Sequence, residues 1–367
     1  MMNPAPRVDQ AFPILTAAQI ARAASHGHAR KIQRGEILAD TDEKNTRMFV
    51  VQSGQLEFVK GSGEAETPFA VFAPGQFTGE IGILSGRHML GRMQGRESGE
   101  VVEIDRADLL GLVQTDSELS EIFMRAFILR RIELVSQSFG DLAVLGSAHS
   151  PDTLRIKEFL ARNGYPYSYI DLDSDAGVQE LLDRFHVSIN DIPVIIRSDR
   201  LFRNPTNEQI AECLGFNEAI DEVRPRDVVV VGARPAGLAA AVYGASEGLD
   251  VLVLEVNAPG GQAGSSSKIE NYLGFPTGVS GQDLATSGYA QAQKFGAQIL
   301  IAKSAKSLIC DRKPVAIEVD DGSRISARGR DCVGRALSQT RGRQSRAVRR
   351  LRSVLRGHIC RIAVMRR

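Results

Sequence analysis

The 367-residue chain is long enough for two or three domains of ~150 residues each, and its 43% hydrophobic and 24% charged residues exclude a wholly disordered or collagen-like protein. No apolar run reaches ~18 residues and the N-terminal segment lacks a basic start followed by an apolar stretch, so neither a membrane-spanning helix nor a secretory signal is expected, and the reading is cytoplasmic. The net charge of +1 hides an asymmetry, because residues 328–367 hold thirteen arginines, no lysine and one acid, Asp331, which makes the tail +12 and the body −11.

Residues 1–140 open with short β-like runs set between glycines. Strands are predicted at Met48–Gln52, Gln55–Lys60 and Val101–Ile104, with Gly54, Gly61, Gly63, Gly75, Gly79, Gly82 and Gly86 marking turns. From Arg106 to about Phe139 apolar residues recur at spacings of three and four (Leu109, Val113, Ile122, Phe123, Phe127, Ile128), which predicts one amphipathic helix.

Residues 141–222 read as a β-α-β-α-β unit. LAVLG is a buried strand. Ser150-Pro151 opens a helix to Asn163, with serine as cap and proline at the first helical position. YSYIDLD is a second strand, Val178–Phe185 a second helix and PVIIR a third strand.

Residues 223–327 begin with a ~30-residue strand–turn–helix–strand pattern. Asp227–Val231 is a buried strand, Gly232-Ala233-Arg234-Pro235-Ala236-Gly237 the turn, an Ala-rich helix follows, and Val251–Glu255 is the second strand. A dinucleotide needs its diphosphate at a helix N-terminus, where backbone N–H groups and the helix dipole favour anions. It also needs glycines where backbone approaches phosphate, and an acid at the end of the second strand for the ribose hydroxyls. Strand, turn, helix, second strand and acid occur here in register, with Glu255 as the acid.

Two downstream strings extend the pattern, APGGQAG (258–264) and KIENYLGFP (268–276). Over residues 226–327 the chain resembles the flavoprotein disulfide reductases similar to thioredoxin reductase. The resemblance implies an FAD-dependent, NADPH-linked oxidoreductase. Gly232, Ala236 and Gly237 would cradle the FAD diphosphate, Glu255 the adenosine ribose, and Gly261, Gln262 and Asn271 the flavin side. Two departures stand out. Arg234 replaces the middle glycine of the fingerprint, where a side chain is expected to obstruct the diphosphate and weaken or abolish FAD binding. Intact relatives carry a second nucleotide domain for NADPH, and no second glycine fingerprint occurs in this sequence. The four cysteines, Cys213, Cys310, Cys332 and Cys360, form no CxxC, which argues against a dithiol of that type, a disulfide framework and a clustered zinc site.

The tail explains itself poorly as a designed segment. After the hairpin-like PVAIEVDDGSRISAR it shows no strand and no helix caps. GC-rich codons for residues 330–336, read one base onward, spell Val-Ile-Ala-Ser-Gly-Ala-Arg. A frameshift near residue 328 is therefore expected, leaving a truncated reductase. The alternative is a basic tail attracted to RNA or a membrane surface, although charge alone predicts no specific nucleic-acid partner.

The first domain, over residues 11–140, resembles cyclic nucleotide-binding domains. Their phosphate cassette runs Gly-Glu, a short helix, then an arginine. FTGEIGILSGRHMLGRMQG places Gly79 and Glu80 in that pattern, and the resemblance implies Glu80 on a ribose hydroxyl. Met89 occupies the arginine's position, while Arg87, His88 and Arg92 are out of register. A cyclic nucleotide and a different ligand both stay open, and His88 is expected at the surface. The second domain resembles glutaredoxin and thioredoxin, with Ser150-Pro151-Asp152-Thr153 where Cys-Pro-x-Cys would stand. Disulfide exchange is therefore chemically excluded at that helix, and a docking or spacer role is expected. Pro193, in Asp191-Ile192-Pro193-Val194, is a candidate cis-proline.

The expected fold is multidomain, α+β and α/β. A β-roll with C-terminal helices (1–140) precedes a thioredoxin-like domain (141–222), a partial Rossmann-type FAD domain (223–327) and an Arg-rich tail (328–367). The leading functional expectation is the FAD-dependent oxidoreductase. The alternative is a regulatory ligand-binding module without catalysis, binding a small nucleotide effector. The apolar stripe of residues 106–139 is open to two uses, a homodimer interface or its own domain's core.

Overall fold

In a computed structural model, which describes residues 7–60, 68–140, 142–173, 191–197, 200–309, 314–328 and 332–334, the first two predicted strands are one. Five strands, β1 (His28–Ile32), β2 (Ile37–Ala39), β3 (Arg47–Val59), β4 (Pro68–Phe72) and β5 (Arg92–Asp105), form an antiparallel sheet of order β1-β5-β3-β4, with β2 also on β5. Glycine at Gly54 does not end the strand. It sits at φ +75° within a run of register shifts between Val51 and Leu56. Such bulges bend a strand without breaking its pairing, which lets a long ribbon roll up.

The predicted single helix is also corrected, in the opposite sense. It is two helices, α3 (Arg106–Thr115) and α4 (Ser117–Ser136), following α1 (Arg7–Ala11) and α2 (Ala17–Ala24). Asp116 breaks it: its backbone lies at φ −107°, ψ 103°, and its side chain accepts from the Leu119 N–H, capping α4. The apolar spacing runs on across the break, so periodicity alone passes over it. Much of the stripe packs within its own unit, while Ile132 stays exposed. Leu109, Leu112, Val113, Leu119, Phe123 and Phe127 pack with Met48, Val50, Phe77 and Ile104 in one buried cluster. Phe77 and Phe123 meet edge to face at 4.6 Å between ring centroids.

The next segment builds a second sheet from β6 (Leu142–Gly146), β7 (Ser168–Asp171), β8 (Val194–Arg197) and β9 (Arg200–Arg203), ordered β7-β6-β8-β9. β6 and β7 are parallel and the other pairs antiparallel, as a thioredoxin-like unit requires. Helix α5 (Pro151–Arg162) starts on the Ser150 cap with Pro151 at its first turn and ends at Asn163, as predicted. The Ile192–Pro193 peptide is cis. Strand β9 and helix α6 (Asn207–Cys213) are additions to the sequence reading; α6 opens on a Thr206–Gln209 capping box. The predicted helix Val178–Phe185 lies outside the described residues. Both sheets belong to one compact unit, Met1–Phe216.

The second unit, Asn217–Arg367, contains β10 (Val228–Val231), α7 (Pro235–Ser246), β11 (Val251–Glu255), α8 (Gly281–Lys294) and β12 (Gln298–Ile301). It continues with β13 (Ala305–Ile309), β14 (Val315–Val319), β15 (Arg324–Ala327) and β16 (Cys332–Gly334). A parallel sheet of order β12-β11-β10-β16 is accompanied by an antiparallel sheet β13-β14-β15. The two share a core of Val229, Leu252, Leu254, Leu300, Ile317, Val319 and Ile325. Strand β16 corrects the expectation of a tail without a strand: Cys332–Gly334 pairs in parallel with Val229–Val231. Ladder hydrogen bonds are made by main chain, so the open edge of β10 accepts a strand that composition does not announce.

Phe123 is fully buried at the centre of the first unit's core. Phe123→Ala is expected to destabilise that unit by about 3–5 kcal/mol, seen as an earlier first transition when the full chain is unfolded in urea.

Candidate functional site

Two places in the chain gather functional residues, one in each unit. In the first unit a cavity of about 40 Å³ opens among β2, β3, β4, the start of β5 and α4. That is several times the ~10–15 Å³ that seats one water molecule. Its wall is mostly apolar, with Phe12, Phe49, Phe58, Phe69 and Phe72 prominent. Gly79 and Glu80 line it. Gly79 has φ +101°, a conformation open to glycine.

Glu80 caps the short 3-10 turn Ile81–Ser85. Its Oε2 accepts from the Gly82 N–H at 2.8 Å and lies 3.4 Å from an Arg131 nitrogen. Met89 stands on the wall, in the position of the cassette arginine. None of the neighbouring basic residues lines the cavity in its place. Arg87 is buried and turned to the thioredoxin-like segment, donating to the Asn163 carbonyl at 3.1 Å over the Phe216 ring. Arg92 pairs with Asp40.

His88 is half-buried rather than a surface residue, which corrects the sequence reading. Its imidazole lies so close to Gly215 that a Cβ there would meet Nε2 at 2.4 Å. Burial, and next the nearby Arg197 charge, hold its pKa below the usual value.

The cavity contains a cation that sequence reasoning missed. Arg130 of α4 is buried, donating from Nε to the Ala11 carbonyl (2.7 Å) and from an Nη to the Gly79 carbonyl (2.8 Å). Its guanidinium carbon sits 4.7–5.2 Å from the ring centres of Phe12, Phe72 and Phe77. Burial draws its pKa down to about 9, so it stays protonated at neutral pH. The signal was present in the sequence. Phe123, Phe127, Arg130 and Leu134 follow one another at spacings of four, three and four, so a charge stands on the apolar face.

In the second unit the predicted dinucleotide turn has the required backbone. Gly232 lies at φ +97°. Gly237 packs so tightly under the turn that a Cβ would come within 1.9 Å of the Gly232 carbonyl oxygen. Glu255 ends β11 buried, its two carboxylate oxygens accepting from Ala233 N–H (2.7 Å) and Asn257 N–H (3.0 Å). The 258–264 loop is tied to the turn by Gly260 N–H to the Ala233 carbonyl, 2.8 Å.

The turn, Ala236 at the start of α7, Glu255 and Gly261 are thus brought together. Gln262 and Asn271 are exposed, and among the described residues neither side chain hydrogen-bonds to the turn. Arg234 causes no backbone strain, since it is the N-cap of α7 at φ −71°, ψ 172°. Its stem instead lies across Gly261, whose Cβ, if present, would be 2.5 Å from Arg234 Cγ. A Cβ at Gly232 would meet nothing within 4 Å, so the backbone of the turn leaves room for a diphosphate.

Among the described residues no helix is long and apolar enough to cross a membrane. Residues 29–116 match the family model of the cyclic nucleotide-binding domain. The chain is 39% identical over 79 residues to the thioredoxin reductase of Bacillus subtilis (strain 168), covering 22% of this chain and 25% of that one. It is 30% identical over 135 residues to NADPH-dependent thioredoxin reductase 3 of Arabidopsis thaliana, covering 33% and 25%. A solved thioredoxin reductase from Gloeobacter violaceus is 30% identical, with a TM-score of 0.27, over 28% of this chain and 32% of that one. The chain spans about a quarter of the length of the curated relatives it matches.

Two outcomes are expected. Gly237→Ala drives a methyl group into the Gly232 carbonyl, so the second unit should lose at least ~1–3 kcal/mol, read as a lower denaturation midpoint for that unit. His88 has a folded pKa below its unfolded value of ~6.5. The unfolded chain therefore binds the extra proton first, and the first unit's stability should be full above pH ~6.5 and decline as the pH falls through the folded pKa. His88→Gln should flatten that limb of the stability–pH curve; an unchanged slope would show that other groups set it.

Proposed function

We propose that this chain, which joins a cyclic nucleotide-binding domain to a thioredoxin reductase-like segment, belongs to FAD-dependent, pyridine-nucleotide-linked oxidoreductase chemistry under the control of a small effector bound in the first unit. The observation that carries the reading is the close packing of Gly237 beneath Gly232, with Glu255 buried against Ala233. That packing lets the N-terminal amides of α7 reach a diphosphate, where the helix dipole favours its charge. Each Glu255 oxygen retains an acceptor lone pair for a ribose hydroxyl after receiving its backbone N–H. Bound flavin would supply the electron transfer. The chain's own residues supply the cradle, and Arg234 sets how open it is. The thioredoxin-like segment, with Ser150 at the helix start where a thiol would stand, serves as a docking or spacer element.

The second reading, a ligand-binding module without catalysis, is favoured by the cavity beside Glu80 and Arg130, because that site needs no dinucleotide. Titration of the purified full chain with FAD, followed by flavin fluorescence, separates the two. The first reading expects weak FAD binding that Arg234→Gly tightens at least about tenfold. No FAD binding by either form would leave the binding-module reading alone.

A further inference from the structure

The phosphate cassette of the first unit has Met89 where the resemblance places an arginine, yet the cavity behind it contains a cation, Arg130. Arg130 enters from α4 and uses Nε and one Nη on two backbone carbonyls. Its remaining Nη is buried and has no acceptor. Among the described residues no carboxylate pairs with it. Glu80, on the same wall, is turned to Gly82 N–H and Arg131, and Arg47, the wall's other cation, is already held by the Leu38 carbonyl and Glu103. A guanidinium keeps its charge at neutral pH, and a buried charge without a counter-ion is strongly disfavoured. The missing partner is therefore an anion, and it must fit a wall of phenyl rings and methionines.

We propose that this cavity is a site for a small apolar monocarboxylate, whose carboxylate pairs with the free Nη of Arg130 and whose hydrocarbon body lies against the phenylalanine wall. This deepens the effector reading above and rests on it. With Nε and one Nη bonded to carbonyls, Arg130 keeps both N–H groups of its other Nη for a ligand, enough for one carboxylate. The mostly apolar wall around it suits a hydrocarbon body better than a polar phosphate ester. Thr78 adds a hydroxyl: its Oγ accepts from the Phe49 N–H at 2.9 Å and keeps its own proton to donate. Asn45, buried on the same wall, adds a carboxamide. Met89, Leu90 and Met93 close the apolar side, and thioether side chains adapt to ligand shape.

The test is calorimetric titration of the full chain with propanoate, its neutral isostere propanamide, cyclic AMP and cyclic GMP. Propanoate is small enough for the cavity and is expected to bind at least about tenfold more tightly than propanamide. Arg130→Met should abolish that preference, and Arg130→Lys should keep part of it. If the methionine variant does not fold, the comparison of charged and neutral ligands on the unaltered chain decides alone. Equal affinity for propanoate and propanamide overturns the proposal. So does binding of a cyclic nucleotide without propanoate, which would leave the effector reading intact. Binding of none of the four overturns both.

Discussion

A guanidinium enclosed by three phenyl rings ties the first unit together. Arg130 is the point where the end of α1, the Gly79 turn and α4 meet, through its bonds to the Ala11 and Gly79 carbonyls. Burying such a charge costs several kcal/mol. Two charge-assisted hydrogen bonds and the faces of Phe12, Phe72 and Phe77 offset part of that cost. The burial of the large apolar cluster around it offsets more of that cost.

The β-roll and the thioredoxin-like sheet form one unit for a related reason. Arg87 and Arg131 leave the cassette side and donate to the carbonyls of Asn163 and Gly164, the residues that terminate α5. Helix C-termini present unsatisfied carbonyls with partial negative charge, so arginine is the favoured partner. A third arginine, Arg197 of β8, reaches Asp42 in the β-roll and the Cys213 carbonyl. Arg87 beside the cassette, Arg131 of α4 and Arg197 of β8 thus hold the two sheets against each other.

What the sequence made legible follows from what each signal measures. The Ser150–Pro151 helix start, the Val251–Glu255 strand and the Pro193 cis peptide depend on local chemistry, and local chemistry is written in a few adjacent residues. Two of the breaks with expectation leave no mark in periodicity or composition. Asp116 ends one helix and caps the next while the apolar spacing runs through, and β16 is recruited by the edge of β10. The sites divide in the same way. Gly232, Gly237 and Glu255 are recognisable because a tight turn forces particular residue types at fixed offsets. Arg130 was missed because only the fold shows that a charge on the apolar face of α4 meets no carboxylate.

Arg234 and Arg130 are opposite solutions to one problem, the placing of a cation near an anion's site. Arg234 is exposed at a helix N-terminus, so its charge is well hydrated and adds little; what matters is the volume of its stem over Gly261. Arg130 is dehydrated, so its charge is the dominant fact and its volume is already absorbed into the packing. The stem of Arg234 thus takes up space over Gly261 in the second unit, while the charge of Arg130 sets the chemistry of the cavity wall in the first. The selectivity proposed for the first unit follows from that placement. A cation set behind the cassette, among aromatic rings, favours a ligand with one charged end and an apolar body over one whose charge lies in the middle of a polar ring system.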